Sequence, residues 1–86
     1  MITADELASL AHISDSEILR DIADTQAEID ERELQIKFLD KKIANAGQGT
    51  IEARMPNFRR AAAISGITKR NRFIAYCTEL LEARKE

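Results

Sequence analysis

The sequence predicts an all-α protein: a long helix packed antiparallel against two shorter helices, as a helical hairpin or a three- to four-helix bundle that dimerises. Three observations carry this. The 86 residues are rich in Ala, Ile, Leu, Glu, Arg and Lys, with three Gly, one Pro and no Trp, a helix-forming composition. Residues 15–46 contain neither Gly nor Pro. Within that stretch Ile22, Ile29, Ile36 and Ile43 recur at an interval of seven, the spacing of a coiled-coil core position.

One domain is the most that this length allows. A chain this short buries a modest core, and self-association is a common remedy. With 44% apolar residues the chain is too hydrophobic for a disordered tail.

The elements follow in order. A short helix is expected at about 3–11 within an N-terminal segment 1–13. Thr3 is its N-cap, Glu6 three residues later its capping-box partner, and Leu7, Leu10 and Ala11 its apolar face. His12-Ile13-Ser14 breaks it. Ser14 and Glu17 form a second Ser-x-x-Glu box that opens the long helix, 14–46, and about 31 uninterrupted residues would span roughly 46 Å. With the isoleucines at heptad position a, position d reads Ile18, Thr25, Arg32, Leu39 and Ala46. Thr and Arg at successive d positions argue against a strict two-stranded zipper and for a long helix lying on several shorter ones. A weaker stripe, Ala23, Ala27, Leu34 and Phe38, lies roughly opposite the isoleucines. An apolar second side is unusual on a lone surface helix, so Ala27, Leu34 and Phe38 are read as homodimer contacts, with a lopsided intrachain core as the alternative.

Gly47-Gln48-Gly49 ends the long helix and opens a turn over 47–55. Met55-Pro56 starts the return arm, 56–86, with Pro56 at the first helical position. Gly66 is expected to close a helix at 56–65, and Thr68 to cap a last helix running to about Arg84. On that helix the apolar face is centred between Phe73, Cys77 and Leu81.

Charge is sorted along the chain. Residues 1–46 hold eleven acids and five bases; residues 47–78 hold six bases and one acid. The simplest origin is two arms of opposite sign lying against each other. Arg59, Arg60, Lys69, Arg72 and Tyr76 remain as candidate partner contacts, since Arg and aromatic pairs are enriched at interface hot spots. The regularly spaced carboxylates of the long helix could likewise occupy a basic groove on another protein. The run Ala62-Ala63-Ile64-Ser65-Gly66-Ile67-Thr68 has helix-turn-helix spacing, so the basic joint 59–72 could hold nucleic acid. Against this, Arg72 stands where that motif wants a buried aliphatic, and the overall charge of −2 lacks the basic balance usual for phosphate binding.

Catalysis has little support. His12 is the only histidine and Cys77 the only cysteine; the first falls in a turn and the second in an apolar stripe. Gly47-x-Gly49 lacks the strand and lysine of a phosphate loop. No metal spacing is present, and no cofactor is expected. The absence of a disulfide pair, a signal-like segment or a membrane-length apolar run leads to the expectation of a cytoplasmic, non-enzymatic protein.

The run Ser16-Glu17-Ile18-Leu19-Arg20-Asp21-Ile22-Ala23-Asp24-Thr25-Gln26-Ala27-Glu28-Ile29, followed by a basic joint and a Leu80-Leu81-Glu82-Ala83-Arg84 ending, resembles small helical accessory proteins of phages and prophages. That group includes anti-CRISPR proteins and other inhibitors that bind a host protein. The resemblance implies a modulator of a host protein, acting in the host cytoplasm, and transfers no site residue.

Overall fold

A computed structural model describes all residues, Met1–Glu86. Three α-helices and one 3₁₀ turn follow one another: α1 (Ala4–Ser9), α2 (Asp15–Ala46), the turn Ile51–Ala53, and α3 (Arg54–Lys85). The two long helices form an antiparallel hairpin, and the molecule is a rod of 53 × 20 × 17 Å. There are no strands.

Local chemistry sets the boundaries. The Thr3 hydroxyl accepts the Glu6 backbone N–H at 3.2 Å, while the Glu6 carboxylate accepts the Thr3 backbone N–H at 3.4 Å. This reciprocal pair satisfies donors that the first turn of a helix leaves open. Ser14 Oγ does the same for the Glu17 N–H at 3.1 Å. At the far end Gly47 and Gly49 take φ of +89° and +84°, values that side chains with a Cβ rarely adopt. Thr50 then donates its hydroxyl to the Gly47 carbonyl at 2.7 Å and closes the turn. Ala53 is fully buried, so the hairpin pinches shut on a methyl group. Pro56 is the third residue of α3, where its missing N–H is one the helix could not have bonded.

The return arm differs from expectation: α3 is one unbroken helix of 32 residues, not two helices jointed at Gly66. Gly66 does not adopt a positive φ, and Thr68 is not a cap. Its hydroxyl donates to the Ile64 carbonyl at 3.1 Å, one turn back along the same helix. Gly in a helix interior costs about 1 kcal/mol relative to Ala, too little to break a helix held by packing along its length.

α3 also carries a 3-4 repeat that places Ala63, Ile67, Arg70, Ile74, Cys77, Leu81 and Arg84 at buried or half-buried positions. This is the partner of the α2 seam. It is centred on Ile74, Cys77 and Leu81, while Phe73 lies on the flank at 43% exposure. The seam is two-stranded in spite of Thr25 and Arg32. Both are half-buried in it, and Gly66 explains how. A Cβ on Gly66 would stand 3.0 Å from Arg32 Nε and 3.4 Å from its Cδ; the arginine therefore crosses α3 through the notch that glycine leaves. Arg70 of α3 lies at the same level. It donates from Nε to Glu28 Oε2 at 2.6 Å and from an NH1 to the Gly66 carbonyl at 3.2 Å.

Apolar packing gathers on either side of this polar layer. Ile29 is buried within the layer, between Glu28 and Arg32, and toward the turn lie the buried Leu39, Ile43 and Ala63. At the open end Ile18, Cys77 and Leu80 form a cluster onto which Leu7, Leu10 and Ile13 fold. α1 is thus a short lid across the open end. It is fastened by Arg84, which donates to the Leu10 carbonyl and to Asp15 Oδ1, each at 2.7 Å.

Candidate interaction surface

Eight of 86 residues are buried, so most apolar side chains outside the seam meet solvent. The dimer contacts read from the sequence are all on the outside. Ala27 is exposed, Leu34 is 66% exposed and Phe38 58%. No part of the chain covers them, which removes the alternative of an intrachain core for this stripe. Lys42 Nζ lies 4.8 Å from the centre of the Phe38 ring, a cation–π contact that keeps a charge beside the apolar surface.

The partner-contact residues are dispersed. Arg60 turns toward α2 and pairs with Asp40, Nε to Oδ1, at 2.6 Å. Arg59, Lys69 and Arg72 are exposed and make no ion pair. Tyr76 donates its hydroxyl to Glu6 Oε2 at 2.6 Å. That bond, with the one from the Thr3 backbone, holds the Glu6 carboxyl below the usual carboxylate range; the same bond pushes the Tyr76 phenol up. Tyr76 is therefore a tether for α1 that still shows 38% of its surface. Because α3 runs straight through 59–72, the helix-turn-helix-like joint is absent, and its bases are distributed around a single helix.

His12 is exposed in the turn after α1. Cys77 is buried, and burial, aided by Asp21, pushes its thiol up. No helix is long and apolar enough to cross a membrane.

The hairpin tip carries a surface that sequence reasoning missed. Ile51, Met55 and Phe58 are 75%, 58% and 69% exposed, beside the exposed Arg54 and Arg59. Their spacing of four and then three is helical and falls outside the seam repeat. The signal was present, but reading 47–55 as a plain turn left Ile51 and Met55 without a face.

Charge is distributed by end rather than by arm alone. The turn-proximal half, residues 34–66, holds six bases and two acids, a net of +4; the remainder, at the open end, holds seven bases and thirteen acids, a net of −6. Three ion pairs join the arms, Arg60–Asp40, Arg70–Glu28 and Arg84–Asp15. Between partly exposed groups each contributes roughly 0–1 kcal/mol. No protein-family model, curated protein or solved structure matches this chain.

Proposed function

We propose that the chain is a non-enzymatic interaction factor that docks a partner protein through its hairpin tip. The observation that carries this reading is the row Ile51, Met55 and Phe58, uncovered and flanked by Arg54 and Arg59. An exposed apolar patch rimmed by charge is characteristic of protein contact sites, and aromatic and arginine side chains dominate binding energies there. The partner this chemistry suits presents an apolar groove edged with carboxylates. On the resemblance drawn from the sequence, that partner is a host-cell protein, and binding modulates or inhibits it in the host cytoplasm. Self-association belongs to the same reading, supported by the uncovered Ala27, Leu34 and Phe38.

Affinity capture tests the tip. The expected result is one dominant protein, retained after nuclease treatment and lost with an Ile51→Ser, Arg54→Glu double variant of unchanged helicity. Hot-spot losses translate to about tenfold or more in affinity. Capture abolished by nuclease would replace this reading with nucleic-acid binding by the basic half.

A further inference from the structure

We infer that two copies of the chain pair antiparallel through the outer face of α2, with the two-fold axis at the level of Ile36 and the lysines 41 and 42 of each copy against Asp30 and Glu31 of the other. This deepens the self-association named above and rests on it, but not on the tip.

The face is set by the seam. With the isoleucines of α2 at heptad position a, the side turned away from α3 is made of positions b, c and f. Along it run Asp30 and Glu31, then Leu34 and Phe38, then Lys41, with Lys42 at the bordering position g; all six are exposed. The order is acid, apolar, base. α1 lies away from this face, packed at the open end against the cluster of Ile18, Cys77 and Leu80. The four charges are also unpaired within the chain. Its ion pairs engage Asp15, Glu28, Asp40 and Glu79 instead, and the Asp30 carboxylate accepts only the Gln26 side-chain amide, at 3.1 Å. Lys42, over the Phe38 ring, already sets a cation at the edge of the apolar centre.

Two-fold symmetry turns this order into complementarity, because residue i meets j wherever j meets i. Reversing one α2 over another, about the point midway between Leu34 and Phe38, sets Leu34 of each copy beside Phe38 of the other. The two leucines and two phenylalanines, 66% and 58% exposed in the single chain, then cover one another. One turn farther out on either side, Asp30 comes opposite Lys41 and Glu31 opposite Lys42. Beyond them Ala27 meets Asn45, both exposed and short enough to let the helices close.

Other alignments fail on the same residues. A parallel pair sets acid on acid and lysine on lysine. Moving the antiparallel axis to Leu34 puts Phe38 over Asp30, and moving it to Phe38 puts Leu34 over Lys42. Charge and apolar surface thus select direction and register together. None of the tip residues belongs to this face, so the two surfaces are separable by substitution.

Sedimentation equilibrium of the full chain decides this with two double variants at exposed positions, Lys41→Glu with Lys42→Glu and Asp30→Lys with Glu31→Lys, each checked for unchanged helicity. Wild type is expected to be dimeric at micromolar concentration. Each variant alone should dimerise about tenfold or more weakly, because like charges then face each other at both contacts. An equimolar mixture should restore association to near wild-type strength. In the heterodimer one contact keeps the native pairing, and the other joins the new glutamates to the new lysines. A dimer that both variants leave intact, or a mixture that fails to restore association, overturns this arrangement; loss of the dimer with Leu34→Asp would then still leave self-association on the outer stripe. A wild type that is monomeric throughout overturns self-association itself, while the tip reading remains to be judged by capture alone.

Discussion

At Gly66 the missing side chain makes room for Arg32, and two opposing terms meet there. Ala would gain about 1 kcal/mol in helix propensity, but its Cβ would stand within 3.0 Å of Arg32 Nε and displace the arginine. Gly66→Ala should therefore stabilise the protein by clearly less than that amount, or destabilise it. In an Arg32→Ala background the full gain of about 1 kcal/mol should appear. Denaturant unfolding of the four chains measures the coupling, and equal gains in both backgrounds would mean that Arg32 does not use the notch. Sequence alone could not reveal this role, because a glycine with helical dihedrals and a glycine ending a helix are written with the same letter. By contrast, Thr3 with Glu6 was legible because a capping box is a local pattern whose chemistry needs no tertiary partner.

Glu6 and Tyr76 make a second test at single residues. The Glu6 carboxyl is held below its ordinary value, chiefly by the Tyr76 hydroxyl. A group with a depressed folded pKa contributes stability that is present above its unfolded value, about 4.5, and is lost as pH falls through the folded one. The tether of α1 should therefore hold at neutral pH and weaken on acidification below that point. Tyr76, the only tyrosine, has its phenol raised above 10.0 by the same bond, so its contribution is present below that value and fades as pH rises through the folded one. Tyrosinate absorbance therefore reports on Tyr76 without overlap from another tyrosine. In Glu6→Gln its midpoint should move down toward the ordinary phenol range; an unchanged midpoint would mean that the bond does not persist in solution.

Among the elements, α3 departs most from what the sequence led us to expect. Its seven-residue repeat was hidden because Arg70 and Arg84 occupy seam positions that pattern reading reserves for apolar residues. Phe73, the largest apolar residue nearby, lies one position off the seam and drew the expected face toward itself. The isoleucines of α2 carried no such ambiguity, and that helix lies where periodicity put it. Continuity of α3 has a direct consequence for backbone exchange. Amides from Ile64 to Arg70 should be protected continuously, to the same degree as their neighbours in α3. A gap of rapid exchange centred on Gly66 would show that the helix is jointed there. The lid makes its own prediction. Arg84 is shielded at 19% side-chain exposure and serves both the Leu10 carbonyl and Asp15, so Arg84→Ala should cost about 1.5–3 kcal/mol in unfolding free energy. A loss under about 0.5 kcal/mol, within the range of an ordinary surface substitution, would mean that α1 is not fastened there.

For the whole molecule, the charge map was only partly visible from chain order. Opposite arms do meet, at three ion pairs, but folding the chain at Gly47–Gly49 also brings the lysines of α2 beside the arginines of early α3. A segregation by arm thus becomes a segregation by end. None of this depends on a sequence motif, which is why the uncovered tip could be seen only once both helices were placed. If self-association covers Leu34 and Phe38, stability should rise with protein concentration by mass action.

Small-angle X-ray scattering tests self-association most directly, because it reports mass and length together. Twice the mass of one chain is expected at micromolar concentration, in a particle larger than the single rod of 53 × 20 × 17 Å. The mass of one chain, with the dimensions of the single rod, would rule self-association out.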